Sequence, residues 1–153
     1  MALSRRVDTL LRDIEEDYFV VREEFLKEAS AYLVYGVTDG DMSPVDTAAY
    51  VESHSIRSTK GAGRSRSSRN RPTHSNPSAA RSQSLQTLIS EAESLPREEV
   101  KVYMNNNSPH AQAVEHGNRV WKKRPFGYQI YTKMRREAGN ILQKAVNIAK
   151  DRK

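Results

Sequence analysis

The sequence contains no cysteine, few aromatic residues and no long apolar run. The absence of cysteine excludes disulfide bonds, thiolate nucleophiles and cysteine-ligated zinc or iron–sulfur sites. No segment approaches the roughly 18 apolar residues of a membrane span, so we expect no membrane partner. The first eight residues lack the apolar region of a secretory signal peptide. We therefore expect a cytosolic product, or one assembled from cytosolic parts.

The apolar content is low for the length of the chain. Hydrophobic residues make up 37% of the 153 residues, whereas ordinary globular domains reach roughly 45–50%, a figure that also counts glycine. The length suits one compact domain over residues 1–153, with room for a long excursion. We therefore predict a small core that relies on contacts with neighbouring subunits.

The formal net charge of +6 is distributed unevenly along the chain. Residues 1–56 hold 5 basic and 12 acidic side chains, and residues 82–118 hold 2 basic and 5 acidic ones. Residues 57–81 hold 7 basic and no acidic side chains, and residues 119–153 hold 11 basic and 2 acidic ones. Such segregation is typical of chains that contact a polyanion or a complementary surface of another subunit.

A long amphipathic helix is predicted at each end of the chain. In the first, apolar residues recur at three- and four-residue steps from Ser4, the predicted N-cap, to Tyr35, and Gly36 is the predicted stop. Because this helix would be about 45 Å long at 1.5 Å per residue, we expect part of it to pack against another subunit. The other predicted helices are Ser84–Ser94, Pro109–His116 and the long Tyr128–Lys150.

Two strands complete the predicted fold. Polar and apolar residues alternate over Ala49–Ser58 and again over Glu99–Asn106. The predicted fold class is α+β, in which the two long helices pack on a small, mainly antiparallel sheet built from these strands. A long basic loop connects the strands, and its ends are candidates for further strands.

The basic loop covers residues of about 59–81 and is rich in serine, arginine, glycine and proline. It contains no aliphatic residue larger than alanine, so in isolation it has little to bury against its ordering entropy. Three interpretations stay open: a solvated loop, a contact with the backbone of duplex DNA, and docking on an acidic neighbouring protein. Its candidate contact residues, with the one cation that precedes it, are Arg57, Lys60, Arg64, Arg66, Arg69, Arg71 and Arg81.

No motif in the sequence predicts catalysis, a metal or a cofactor. His110 and His116 are six residues apart, which places them on different sides of a helix, so they do not form the i, i+4 pair of a zinc site. Asp39 and Asp41 resemble the start of a calcium loop, but the twelfth position is Tyr50 where a glutamate is required. The glycines at 61 and 63 lack the ending of a phosphate-binding loop. We therefore expect a protein that is not an enzyme.

Two separated segments resemble a known family. Ser43-Pro-Val-Asp-Thr-Ala-Ala-Tyr50 is similar to the (T/S)-P-V-D-T-G-x-(L/F/Y) segment that leads into the first strand of neck and tail-completion proteins of tailed phages of the lambdoid type. Tyr103-Met-Asn-Asn-Asn-Ser-Pro-His-Ala-Gln-Ala-Val-Glu-His-Gly117 resembles their N-x-x-P-Y-A-x-x-(L/V)-E-x-G segment. The order of the motifs and elements covers nearly the whole chain. Ala48 stands where the family usually has glycine, and His110 where it usually has tyrosine.

The motif residues also have structural roles that follow from their chemistry. Pro44 disfavours helix at the residue before it, and the side chains of Asp46 and Thr47 can hold a turn. Pro109 suits a first helical turn and Gly117 a helix end. Ala111 permits close packing, and Glu115 is available for a salt bridge to a basic residue of an adjoining element. The motif residues are Pro44, Val45, Asp46, Thr47, Pro109, Ala111, Glu115 and Gly117.

The resemblance implies a structural virion protein that is not an enzyme and needs no cofactor. Such subunits form a homo-oligomeric ring, a hexamer or a dodecamer, at the head–tail junction. The ring joins the connector to the tail tube around the DNA exit channel, and its neighbours are head-completion and tail-terminator proteins. The alternative from another class is a small basic DNA-binding protein acting as a monomer or dimer, although no helix-turn-helix signature supports it.

Overall fold

The computed structural model of the chain describes residues 2–36, 42–45, 48–66, 75–118 and 124–152. Its elements confirm the α+β class with a small antiparallel sheet. Asp46, Thr47, Arg69 and Arg71, for which we predicted roles, lie outside the described residues. The described elements are α1 (Ala2–Tyr35), β1 (His54–Arg57), α2 (Pro77–Glu93), β2 (Tyr103–Asn106), α3 (Ala111–His116), α4 (Ile130–Arg136) and α5 (Ala138–Asp151).

Helix α1 is a single helix of 34 residues, as its long apolar periodicity predicts. It begins at Ala2, so the prediction that Ser4 is the N-cap is wrong, because Ser4 already lies within the helix. It ends at Tyr35, and the next residue, Gly36, has φ +61° and an amide that bonds to the carbonyl of Tyr32 at 2.7 Å. A left-handed residue of this kind is a common helix stop, and glycine adopts it without steric cost.

The sheet consists of β1 and β2 paired antiparallel, with His54 opposite Asn106 and Arg57 opposite Tyr103. Both strands are shorter than predicted. Residues Val51–Ser53 form a 3₁₀ turn before β1, where the amide of Glu52 bonds to the carbonyl of Ala48 at 3.0 Å. Before β2, the carbonyls of Pro96 and Glu99 accept hydrogen bonds from the Arg22 guanidinium. The backbone that precedes each strand is therefore held by contacts other than strand pairing.

Helix α2 begins seven residues before the predicted Ser84, within the range assigned to the basic loop. Asn76 is its N-cap, because the side-chain oxygen of Asn76 accepts the amide of Ala79 at 3.0 Å. Pro77 occupies the first helical position, where its missing amide proton costs nothing. This Asn-Pro pair is a helix-start signal that could have corrected the boundary of the loop.

The predicted helix Tyr128–Lys150 is divided into α4 and α5 by a turn at Glu137. The amide of Glu137 is shared between the carbonyls of Lys133 at 3.2 Å and Met134 at 3.1 Å, which tightens the backbone there. The amide of Ile141 still bonds to the carbonyl of Glu137 at 2.9 Å, so the helical ladder continues across the turn. Gly139, a poor helix former, lies two residues after Glu137.

The second half of α1 separates two apolar clusters. On one side it packs against α2, β1 and the turn before β1, and on the other side against α3, α4 and α5. The second half of α1 therefore supplies buried residues to both clusters. The buried members of the first cluster are Leu26, Val34, Ala48, Val51, Ile56, Ala80, Leu88 and Ala92, and those of the second are Ala29, Leu33, Tyr50, Val114, Ile130, Met134 and Ile141.

Candidate assembly surface

The first part of the predicted basic loop folds back along the sheet. We call residues 58–66 the strap. Its backbone amides at Arg64 and Arg66 bond to the hydroxyls of Ser55 and Ser53, both at 2.8 Å. Gly63 lies so close to β1 that an added Cβ would come within 2.5 Å of the Ser55 side chain. The strap is therefore ordered by the chain's own side chains.

Two of the seven predicted contact residues are engaged by one carboxylate of α2. Arg57 lies 2.7 Å from Glu91 Oε1, and Arg64 contacts the same oxygen. The other oxygen of Glu91 accepts the amide of Ile56 at 2.9 Å. Arg64 also donates to the carbonyls of His54 and Glu52. These charges stabilise the packing of α2 and the strap on β1, and the predicted contact of Arg57 and Arg64 with DNA or a neighbour stays a prediction.

The three remaining predicted contact residues that the structure describes divide into two groups. The Arg81 guanidinium donates to the carbonyl of Ser43 at 3.1 and 3.2 Å, so it too is used within the chain. Lys60 and Arg66 have exposed side chains on the strap. Of the five described cations in the set, these two are the ones that the structure presents to solvent.

His54 is the centre of a buried polar network that sequence reasoning missed. Its Nε2 lies 2.9 Å from the Ser43 hydroxyl, and its Nδ1 lies 2.9 Å from the Tyr131 hydroxyl and 3.2 Å from the Asn106 side-chain amide. The Ser43 hydroxyl itself donates to the carbonyl of Leu33 at 2.7 Å. Because that proton is committed, the consistent arrangement has His54 donating from Nε2 to Ser43 and accepting at Nδ1.

This arrangement holds the histidine neutral. Burial, together with the smaller effect of the nearby positive charge of Arg64, lowers the pKa of His54 to about 3. Burial likewise raises the pKa of Tyr131. In a serine nucleophile the hydroxyl donates to the histidine, whereas here it donates to Leu33. The network therefore joins the segment after α1 to β1 and α4 and does not activate Ser43.

Glu115 caps helix α4. Its Oε2 accepts the amide of Tyr131 at 3.0 Å, and its Oε1 accepts the amide of Thr132 at 2.8 Å and the Thr132 hydroxyl at 2.7 Å. A carboxylate at a helix N-terminus satisfies donors that have no partner in the helix and interacts favourably with the helix dipole. We predicted a salt bridge to a basic residue for Glu115, and the structure assigns it this capping role.

Gly117 and Gly127 allow the chain to cross itself closely beside that cap. A Cβ on Gly117 would come within 2.0 Å of the Pro125 carbonyl oxygen, and one on Gly127 within 2.5 Å of the Gly117 nitrogen. Both have positive φ, +86° and +73°. Gly117 ends α3 as predicted. Ala111 packs against the second cluster, whereas Pro109 lies in the exposed turn before the helix.

The first motif leads the chain into the core. Pro44 is half-buried, and Val45 packs against the first cluster. Ala48 is fully buried and has φ +62°, in the left-handed region that favours glycine. This is the position at which the resembled family usually has glycine. Alanine at position 48 therefore has a backbone conformation that glycine would adopt at lower cost.

The first half of α1 extends beyond the body formed by the other elements. Its apolar side chains are between 48% and 59% exposed, whereas Ala29, Leu33 and Val34 in the second half are at most 1% exposed. At about 100° per residue they fall on one face of the helix. We call this set the α1 stripe: Val7, Leu10, Leu11, Ile14 and Tyr18.

Helix α5 packs against the second half of α1 and does not reach the first half. Lys144 of α5 bonds to Glu28 of α1 at 2.5 Å, and Arg152, at the end of α5, lies 2.8 Å from Glu24. The two helices therefore run antiparallel, and α5 ends opposite the middle of α1. The preceding turns of α1 have no described element against their apolar face.

Acidic side chains border the α1 stripe. Asp8 and Glu15 project along one edge and Asp13 and Asp17 along the other, at the helical spacing of about 100° per residue. Arg6 is the basic residue among these border positions. The stripe is therefore an apolar surface of acidic character, which suits a basic helical partner.

The described residues contain neither a candidate metal-binding group nor a candidate membrane-spanning helix. No group of three histidine or carboxylate side chains among them is placed to hold a metal ion. None of the described helices is long and apolar enough to cross a bilayer. Comparisons with models of known protein families, with curated proteins and with solved structures gave no match.

Proposed function

We propose that the chain is a structural virion protein that forms a homo-oligomeric ring at the head–tail junction of a tailed phage. The ring joins the connector to the tail tube around the DNA exit channel. The observation that carries the proposal is the α1 stripe, whose five apolar side chains are about half exposed on a helix that extends beyond its own body. Contiguous exposed apolar surface of this kind marks a protein interface.

Two local features support the resemblance on which the phage context depends. Ala48 has positive φ where the family motif has glycine. Glu115 and Gly117, from the second motif, form the cap of α4 and the close crossing beside it. Glu115 and Gly117 therefore have physical roles that depend on their residue types, and the backbone at position 48 has a conformation that glycine adopts more readily than alanine.

The alternative of a small basic DNA-binding protein has less support. Arg57, Arg64 and Arg81 bond to acceptors within the chain, so fewer cations of the loop are available for phosphates. Among the described cations of the loop set, Lys60 and Arg66 are the exposed ones, and two cations alone give only a weak electrostatic affinity for duplex DNA. DNA contact remains compatible with the ring as a secondary role.

Removing the gene from the phage that carries it tests this function. The ring proposal predicts DNA-filled heads and separate tails in the lysate, because the junction is missing, and wild-type chain supplied in trans restores joined particles. Mass spectrometry of purified virions should detect the chain at a ring-like copy number. Joined, infectious particles in the absence of the chain would contradict the proposal.

A further inference from the structure

We propose that the α1 stripe docks on the C-terminal helices of a second copy of this chain. This inference deepens the proposed ring function and rests on it for the claim that the chain self-associates. The receiving surface, which we call the C-terminal stripe, consists of Arg135, Gly139, Leu142, Val146 and Lys150.

The C-terminal stripe is a continuous helical face. Its members are spaced by four, three, four and four residues, as on one side of a helix. The hydrogen bonds of Glu137 and Ile141 carry the helical ladder across the turn between α4 and α5, so Arg135 stays in line with the rest. Both stripes are similar in length, about 17 Å for Val7–Tyr18 and about 22 Å for Arg135–Lys150 at 1.5 Å per residue.

The C-terminal stripe also contains apolar surface. Leu142 is 47% exposed, and Val146 beside it is half-buried. A Cβ at Gly139 would meet nothing within 4 Å, so the surface is open there. A small residue between larger ones lets a second helix approach closely, at about 8–10 Å between axes.

The charges favour this pairing over the pairing of two α1 stripes. Residues 4–18 carry three arginines and five carboxylates, whereas the described residues 124–152 carry seven basic and two acidic side chains. Arg135 and Lys150 stand at the two ends of the C-terminal stripe and are exposed. Four carboxylates and one arginine border each α1 stripe. If two α1 stripes packed on each other, these two acidic borders would face each other and their like charges would repel.

The contact also repeats a pairing already present within one chain. Glu24 and Glu28 of α1 pair with Arg152 and Lys144 of α5, and this pairing stops where α5 ends. A basic helix from the next copy would continue it along the uncovered turns of α1. Because the two surfaces differ, the contact is heterologous, and heterologous contacts generate rings when the rotation closes.

Disulfide crosslinking tests the contact directly, because the chain has no cysteine of its own. Full-length Leu11→Cys and Leu142→Cys chains, carrying different tags, are mixed and oxidised. The matched control replaces Leu11→Cys by Thr9→Cys, which lies about 160° away around α1. Docking predicts mixed dimers that form about tenfold faster or more for Leu11→Cys, because bound thiols reach a high effective concentration.

Two crosslinking outcomes would overturn the inference. If Leu11→Cys links mainly to other Leu11→Cys chains, α1 pairs with α1. If Thr9→Cys and Leu11→Cys react with Leu142→Cys equally fast, the contact is random collision, and the stripe serves a different protein or none.

Charge reversal gives an independent measurement on the same contact. Arg135→Glu with Lys150→Glu should weaken self-association by about tenfold in sedimentation. Adding Asp13→Lys with Glu15→Lys to the same chain should restore it. Unchanged association in the first variant would contradict the assigned surface.

These results separate the inference from the proposed function. If the crosslink forms while phage lacking the gene still join heads to tails, the contact is right and the function is wrong. If the gene is needed for joining while the crosslink goes elsewhere, the function stands and this contact is wrong.

Discussion

Glu115 and Thr132, which are 17 residues apart, are joined by two hydrogen bonds to one carboxylate oxygen, from the Thr132 amide at 2.8 Å and from its hydroxyl at 2.7 Å. With the amide of Tyr131 on the other oxygen, Glu115 satisfies the start of α4 from α3. We expect Glu115→Ala to lower the free energy of unfolding by about 2 kcal/mol, since the cap and its charge are both lost. Urea unfolding measures this, with the exposed Glu98→Ala as the control. Equal stability of the two variants would contradict the capping role.

Gly127 lies in a crowded place and Gly139 in an open one, so alanine substitutions at the two positions should change stability in opposite directions. A Cβ on Gly127 would lie 2.5–2.6 Å from three backbone atoms, and its φ is +73°. Gly127→Ala should therefore destabilise the fold by about 2 kcal/mol or more. Gly139→Ala has open space within helix α5 and should stabilise by about 1 kcal/mol at most. Thermal unfolding of both variants checks the signs, and the same sign for both would refute the close crossing at Gly127.

The buried His54 predicts a pH dependence of stability. Its pKa is lowered from 6.5 to about 3, so between these values the unfolded chain binds a proton that the folded chain does not. Stability is then fully present above about pH 6.5 and decreases as the pH falls toward 3, by at most about 1.4 kcal/mol per pH unit. His54→Gln should show a smaller slope between pH 7 and 5 in urea unfolding than the wild-type chain does. An NMR titration that places the imidazole of His54 near its ordinary pKa would contradict the network.

The charge cluster at Glu91 predicts which cations of the loop are structural. Glu91→Gln leaves Arg57 and Arg64 without their shared carboxylate and should cost about 2 kcal/mol in unfolding free energy. Arg66→Ser, on the exposed side of the strap, should be close to neutral. Chemical denaturation of these two variants, with Arg64→Ser as a third, separates the roles. A destabilising Arg66→Ser together with a neutral Arg64→Ser would reverse the assignment.

The long helix α1 could be predicted from the sequence. The apolar periodicity of α1 extends over many turns, and Gly36 marks its end, so both were found. The short strands were overextended, because alternation at Ala49 and Glu99 does not reveal that a 3₁₀ turn and Arg22 hold the neighbouring backbone. Such contacts depend on residues distant in sequence.

The candidate surface was predictable in part. The length of α1 and the low apolar content led to the expectation that part of the helix packs on another subunit, and the exposed α1 stripe is in line with it. The roles of Arg64 and Arg81 were not predictable, since their acceptors Glu91 and Ser43 lie in other elements. His54 gave no sequence signal either, because its partners Ser43, Asn106 and Tyr131 come from three separate segments.

The central claim is that the α1 stripe makes this chain a self-assembling subunit. Light scattering on the purified full-length chain, compared with its Leu11→Ser/Ile14→Ser variant, tests it most directly. The account predicts an oligomer of defined mass for the wild-type chain and a monomer for the variant, with the same helical content by circular dichroism, because both positions are about half exposed and outside the two clusters. A wild-type chain that stays monomeric at all concentrations, or a variant that assembles as the wild type does, would contradict it.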